Sequence, residues 1–168
     1  MTMKRMIFLC TAAALCLSLL AACAPKEPEE KQVDLAAFAQ EVMKNHEFSA
    51  LEKADPADEE VGAIMLENAY PGLKDMDLEQ LEAYLPMISF SGGELALAQA
   101  KSPEDAAKVK EIFQARIEAK TTEGPGNYPE EVEMWQRSAK VAGSGSYVML
   151  VNHQDSEAIV SEFEALFA

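Results

Sequence analysis

The chain has 168 residues and a mass of 18.3 kDa, which is the size of one ordinary domain and excludes a multidomain enzyme or a long repeat array. Hydrophobic residues make up 49% and the mean hydropathy is -0.10, values too apolar for a disordered protein and too polar for a polytopic membrane protein. The balance of 14 Lys and Arg against 29 Asp and Glu gives a net charge of -15, which argues against nucleic-acid binding because that needs a cationic surface.

The N-terminal segment has the pattern of a bacterial export signal. Lys4 and Arg5 precede seventeen uncharged residues, Met6 to Ala22, and the segment ends in Leu20-Ala21-Ala22-Cys23. This order resembles the lipobox of bacterial lipoproteins, in which the cysteine thiol takes a diacylglycerol and becomes the mature N-terminus. The pattern predicts a lipoprotein signal peptide over residues 1–22 and lipidation at Cys23.

Two other interpretations of this segment stay open. An uncleaved anchor helix is less favoured because seventeen residues at about 1.5 Å each reach only ~25 Å against a ~30 Å hydrocarbon core. A plain secretory cut is less favoured because Pro25 lies directly downstream and no clean A-x-A site precedes it. Lipidation predicts a protein on the extracytoplasmic face of the cell membrane, anchored by its acyl chains.

Downstream of the signal peptide, the composition divides the chain into a tether and a domain. Residues 23–33 combine the lipidated cysteine with a run rich in Pro, Glu and Lys, which predicts a flexible tether. Residues 34–168 are predicted to form a single α+β extracytoplasmic domain. Cys10 and Cys16 leave with the signal peptide, so the mature chain keeps one cysteine, and an intramolecular disulfide, a thiolate zinc site and a Cys nucleophile are excluded.

Apolar spacing predicts alternating groups of helices and strands within this domain. In chain order they are helices 34–48 and 56–68, strands 81–90 and 95–100, helices 102–120 and 129–137, strands 140–142 and 147–151, and a final helix capped by Asp155. Pro86 makes the first strand an edge or bulged strand, whereas the last strand is apolar on both faces and is predicted to be central. The order ααββα(α)ββα predicts an α+β fold with a four-stranded, mostly antiparallel sheet of two β-hairpins and helices packed on one face.

Five short segments, taken in their order along the chain, carry a family resemblance. They are Met65-Leu66-Glu67-Asn68-Ala69-Tyr70-Pro71-Gly72-Leu73, Pro86-Met87-Ile88-Ser89, Glu94-Leu95-Ala96-Leu97, Ile112-Phe113-Gln114-Ala115-Arg116 and Tyr147-Val148-Met149-Leu150. The chain resembles the bacterial lipoprotein family catalogued as domain of unknown function 4358. The resemblance implies a lipoprotein exported by low-GC Gram-positive bacteria, and it implies no activity and no catalytic residues.

The sequence contains few residues with catalytic or metal-binding spacing. His46 and His153 are its two histidines, and they lack the i, i+4 pairing and the neighbouring Glu of a zincin helix, so surface or helix-capping roles are predicted for both. No P-loop, dinucleotide glycine pattern or EF-hand loop occurs, so neither a cofactor nor a metal is predicted.

Three residues are candidates for a binding site. Glu94 follows the Gly92-Gly93 turn at the mouth of a strand, but acid–base catalysis normally needs a second, differentiated group. Tyr128 and the single tryptophan, Trp135, lie beside a loop rich in glycine and proline, a composition that suits recognition; a core position for Trp135 stays the main alternative.

These features favour a non-enzymatic binding or interaction module at the cell envelope, with an envelope protein or ligand as partner and no nucleic acid. Two alternatives remain: a small envelope hydrolase using carboxylates, and an accessory subunit of a transport system. Paired carboxylates in a deep pocket would favour the hydrolase.

Lipidation is tested by the substitution Cys23→Ala. Because the diacylglycerol is attached through the cysteine thiol, radiolabelled palmitate should enter the wild-type chain and be absent from the variant. Label retained by Cys23→Ala would contradict the prediction.

Overall fold

The computed structural model describes residues 31–87, 93–122 and 128–168 of the chain. Gln32–Ala168 forms one compact unit by its internal contacts, and residues 1–30, with the predicted signal peptide and Cys23, lie outside the described residues. The elements, in chain order, are α1 (Leu35–Asn45), β1 (Leu51–Lys53), α2 (Gly62–Ala69), β2 (Leu78–Pro86), β3 (Glu94–Ala100), α3 (Pro103–Thr121), α4 (Pro129–Ser138), β4 (Ala139–Ser144), β5 (Tyr147–Asn152) and α5 (Ser156–Ala165).

The five strands form one antiparallel sheet in the order β1-β2-β3-β5-β4. The α+β class is confirmed, but the predicted four strands are a miscount. The missed strand, β1, has three residues, which are too few to show a period-two pattern. Its pairing with β2 makes β2 an internal strand, with Pro86 at its last residue opposite Leu51.

The central position predicted for the last strand is confirmed. All six residues of β5 are buried, and β5 lies between β3 and β4. The β4–β5 hairpin turns at Gly145 and Ser146, and Gly145 has a φ of 56°, a left-handed conformation that glycine adopts without a steric cost.

The expectation that helices cover one face of the sheet is wrong, because helices pack against both faces. One face of β3 presents Leu95 and Leu97, which pack with α1 and α5. The other face presents Ala96 and Ala98, which pack with α2, α3 and α4. Since both faces of this strand are apolar, each needs cover, and the alanine side lets helices approach closely.

The helix boundaries show where capping residues act. Asp34 caps α1 as predicted, and its side chain accepts a hydrogen bond from the Ala37 N–H at 2.9 Å. Directly before it, the Val33 N–H donates to the Tyr147 hydroxyl at 3.1 Å, so the last residue of the predicted tether is held against the sheet.

The second helix begins at Gly62 rather than at the predicted Pro56. Asp55 and Asp58 instead accept hydrogen bonds from backbone N–H groups two and three residues further on, forming turns in place of a first helical turn. Gly62 packs so closely on this segment that an added Cβ would lie 2.2 Å from the carbonyl oxygen of Asp55.

We expect Gly62→Ala to lower the free energy of unfolding by more than about 2 kcal/mol, because the backbone of Asp55 cannot move aside as a flexible side chain could. Denaturant titration of both proteins measures the difference. The control, Ala63→Gly, lies at the next position of α2 and should cost no more than about 1 kcal/mol through helix propensity. Equal losses in the two variants would show that the close approach at Gly62 is unimportant.

Candidate functional site

A buried ion pair joins the sheet to α3 on the face that carries Ala96 and Ala98, which is called the alanine face. Glu94 begins β3, and its side chain is 1% exposed. Arg116 of α3 donates two parallel hydrogen bonds to this carboxylate, from Nε to Oε1 at 3.0 Å and from Nη2 to Oε2 at 2.8 Å. This fork-to-fork geometry fixes both side chains and satisfies both carboxylate oxygens.

Aromatic side chains from the two neighbouring helices surround this pair. The Tyr70 hydroxyl, at the C-terminal end of α2, donates to Glu94 Oε1 at 2.6 Å. Burial, and then the negative charge of Glu94, raise the pKa of Tyr70 well above its usual value, so the hydroxyl keeps its proton. The Arg116 guanidinium lies 5.9 Å from the ring centre of Tyr70 and 5.5 Å from that of Trp135, within the range of a cation–π contact.

The other two buried glutamates of the described residues also have cationic partners. Lys120 donates to Glu131 Oε1 at 2.7 Å, with both side chains largely buried. Lys53 donates to Glu82 Oε1 at 2.9 Å, and the Tyr84 hydroxyl donates to the other oxygen at 2.8 Å. No buried carboxylate in this part of the chain therefore stands as an unpaired acid or base.

One buried side chain beside the ion pair has no hydrogen-bond partner among the described residues. Asn152 is 1% exposed and lies directly opposite Glu94 in the β3–β5 register. Neither its amide nitrogen nor its amide oxygen is bonded within the described residues. A buried amide without hydrogen-bond partners costs stability.

The three predicted binding residues occupy two different environments. Glu94 and Trp135 are 1% and 3% exposed and are brought together through Arg116. Tyr128, which precedes α4 as its N-cap residue, is 48% exposed. Whether any of the three serves binding stays a prediction.

Sequence reasoning missed the partners of Glu94 because they are distant along the chain. Tyr70 precedes it by 24 residues and Arg116 follows it by 22. The usable signal was the position of Arg116 at helical spacing from Val109, Ile112 and Phe113, since a charge on an apolar helix face needs a buried counterion.

A groove lies along the outward side of α2. It has a volume of about 360 Å³ and is lined by Glu59, Ala63, Ile64, Glu67, Asn68 and Lys74. Ile64 is 54% exposed and Val61, at the start of α2, is 49% exposed. Val61 and Ile64 are three residues apart along the helix, so they lie on the same side of α2 and present an apolar surface to solvent there.

The fold and the buried pair define a class: an α+β domain with an antiparallel sheet covered on both faces and an arginine–glutamate pair inside one of them. A family model described as Domain of unknown function (DUF4358) matches residues 52–153, about three fifths of the chain. The chain belongs to this family, and the matched segment runs from β1 to the end of β5 and includes Tyr70, Glu94 and Arg116.

No curated protein and no solved structure matches the chain. None of the helices within residues 31–87, 93–122 and 128–168 is long and apolar enough to cross a membrane.

We expect Arg116→Met to lower the free energy of unfolding by about 3–5 kcal/mol, because it leaves the Glu94 carboxylate buried without a counterion. The double variant Glu94→Leu/Arg116→Met removes both charges and should regain a large part of that loss. Denaturant titration measures both changes.

Lys108→Met is the matched control. Lys108 also lies on α3 and pairs with Asp105 at 2.8 Å, but this pair is at the surface, where solvent screens it, so little change is expected. If Arg116→Met is no more destabilising than Lys108→Met, the buried pair does not hold α3 to the sheet.

Proposed function

We propose that the protein is a lipid-anchored, extracytoplasmic binding module without catalytic activity, which docks an envelope protein on the outward side of α2. The exposed pair Val61 and Ile64 beside the groove is the observation that carries this proposal. Val61, Ala63, Ile64 and the groove residues around them form the α2 surface.

The α2 surface combines an apolar centre with an acidic rim. Ala63 and Ile64 are the apolar residues that line the groove, and Glu59, Glu67 and Lys74 are its charged lining residues. Lys74 is engaged by Glu67, since their charged groups are 3.4 Å apart. An apolar patch rimmed by carboxylates complements a protein segment with apolar side chains flanked by Lys or Arg.

The net charge of the chain supports the same choice of partner. An excess of 15 negative charges repels anionic lipid headgroups, so direct adsorption of the domain to a membrane is disfavoured. The same excess attracts a basic partner and raises the rate at which it is captured. The acyl chains predicted at Cys23 then account for membrane attachment.

The hydrolase alternative has less support. General acid–base catalysis by carboxylates uses two groups with different pKa values facing one substrate. In the described residues each buried glutamate instead has its own cation: Lys53 for Glu82, Arg116 for Glu94 and Lys120 for Glu131. Paired in this way, these glutamates act in stability rather than in proton transfer.

Site-specific photo-crosslinking tests the proposal in living cells that express the full chain. A benzophenone amino acid replaces Ile64 in one strain and Lys110, an exposed position of α3, in the control strain. We expect a discrete adduct with a protein from position 64 and none from position 110. Adding Val61→Asp should remove the adduct, because a carboxylate is then placed at the centre of the apolar contact.

A third strain carries the crosslinker at Tyr128, the exposed one of the three residues predicted from the sequence. An adduct from position 128 with none from position 64 would retain the binding function and refute the α2 surface as its site. Absence of an adduct at both positions would contradict docking, and turnover of cell-wall fragments by the purified protein would contradict the non-enzymatic assignment.

A further inference from the structure

The two histidines, separated by more than a hundred residues in sequence, meet at one end of the sheet. His46 is the C-cap residue of α1, and His153 follows the last residue of β5. Asp155, the N-cap residue of α5, lies between them. One ligand atom from each of the three residues lies within 4.8 Å of the others.

In both imidazole rings Nδ1 is the nitrogen that faces Asp155. The distance from His46 Nδ1 to Asp155 Oδ2 is 3.3 Å, and the distance from His153 Nδ1 to the same oxygen is 3.8 Å. In a tetrahedral zinc site with bond lengths near 2.0 Å, neighbouring ligand atoms are about 3.3 Å apart. The first distance already has this value, the second needs to shorten by about half an ångström, and the two imidazole nitrogens lie within 4.8 Å of each other.

The opposite nitrogen of each ring is held by an acceptor. His46 Nε2 lies 3.2 Å from Glu162 Oε1, and His153 Nε2 lies 3.1 Å from the carbonyl oxygen of Glu47. When each Nε2 carries the proton and donates it there, each Nδ1 presents a lone pair. Such outer contacts fix the tautomer and orientation of metal-binding histidines.

His46 lies between two carboxylates, which a neutral ring cannot satisfy. A neutral imidazole has one N–H, so it can donate either to Glu162 or to Asp155 but not to both. The remaining contact then brings a nitrogen lone pair against a carboxylate oxygen. A metal ion at Nδ1 removes that repulsion.

The ring of His153 is positioned by its neighbours. Phe48 packs against it with the ring centres 4.4 Å apart, and the His46 and His153 rings are 5.9 Å apart. In the structure, His153 Nδ1 accepts the Asp155 backbone N–H at 3.1 Å. A metal ion at this nitrogen would have to displace that N–H, and the carboxylate of Asp155 would then be the neighbouring ligand.

We infer that His46, His153 and Asp155 form a binding site for a divalent transition-metal ion of the Zn²⁺ class. Two imidazole nitrogens and one carboxylate oxygen suit Zn²⁺ better than Mg²⁺ or Ca²⁺, which prefer oxygen ligands alone. Asp155 is half-exposed, so the site opens to solvent and leaves a fourth position for water. The excess of negative charge concentrates cations around the chain.

The inferred site goes beyond the proposed docking function and beyond the family match. His46 and Asp155 lie outside the matched segment, and His153 is its last residue. The bound metal would join the end of α1 to the start of α5, two helices on the leucine face of the sheet.

Equilibrium dialysis of the full chain in detergent tests the site. The protein is prepared without a polyhistidine tag, stripped with a chelator and dialysed against Zn²⁺ with excess Mg²⁺, which occupies carboxylate-only sites. We expect one equivalent of Zn²⁺ per chain and a higher melting temperature, since the metal binds the native state. Substituted Co²⁺ should give the visible absorption of a tetrahedral site with nitrogen and oxygen ligands.

The variants separate a specific metal site from adventitious binding. His46→Ala and Asp155→Asn should each weaken Zn²⁺ binding by at least about tenfold. Glu164→Gln, an exposed position of α5, removes an equal charge and should leave binding unchanged.

Three results would overturn the inference. The first is the absence of saturable Zn²⁺ and Co²⁺ uptake by the wild-type chain. The second is unchanged binding in His46→Ala and in Asp155→Asn. The third is an equal weakening by Glu164→Gln, which would show general binding to an acidic surface. The wild-type Co²⁺ spectrum decides the outcome even if a variant fails to fold.

Discussion

The bidentate bond between Arg116 and Glu94 is the constraint on which the alanine face depends. A carboxylate that is 1% exposed needs a counterion, so α3 must cross β3 where the guanidinium can reach it. The flat guanidinium then lies near the Tyr70 and Trp135 rings, which belong to the segments on either side of α3. One ion pair therefore sets the relative positions of the sheet and three helices.

The alternation of side chains along β3 explains how five helices share one five-stranded sheet. Leucines on one face build a thick apolar layer with α1 and α5, whose rings include Phe38 and Phe163, 6.0 Å apart. Alanines on the other face leave room for larger side chains from the helices, among them Phe113 against Tyr70 at 5.2 Å. On the alanine side, small sheet residues opposite large helix residues allow close packing.

The two surfaces proposed for binding consist of side chains that lie outside both apolar core clusters. Val61 and Ile64 remain exposed although the face of α2 that carries Leu66 is buried. Asp155 is a cap residue without a side-chain capping bond, so its carboxylate is free to face the histidines. The start of α2 and the start of α5 therefore form without packing or capping by these side chains. The side chains are then available for another contact.

The sequence by itself determined what depends on neighbouring residues: the export signal pattern, the α+β class, the Asp34 cap and the buried character of β5, because these follow from local spacing and composition. It indicated Glu94 through its position after a glycine turn, but not the function of that residue. Only the tertiary structure decided the fifth strand, the cover on both faces, the Glu94–Arg116–Tyr70 group and the meeting of His46 with His153. Each of these joins residues far apart along the chain, and a sequence pattern carries no information about which distant partners will meet.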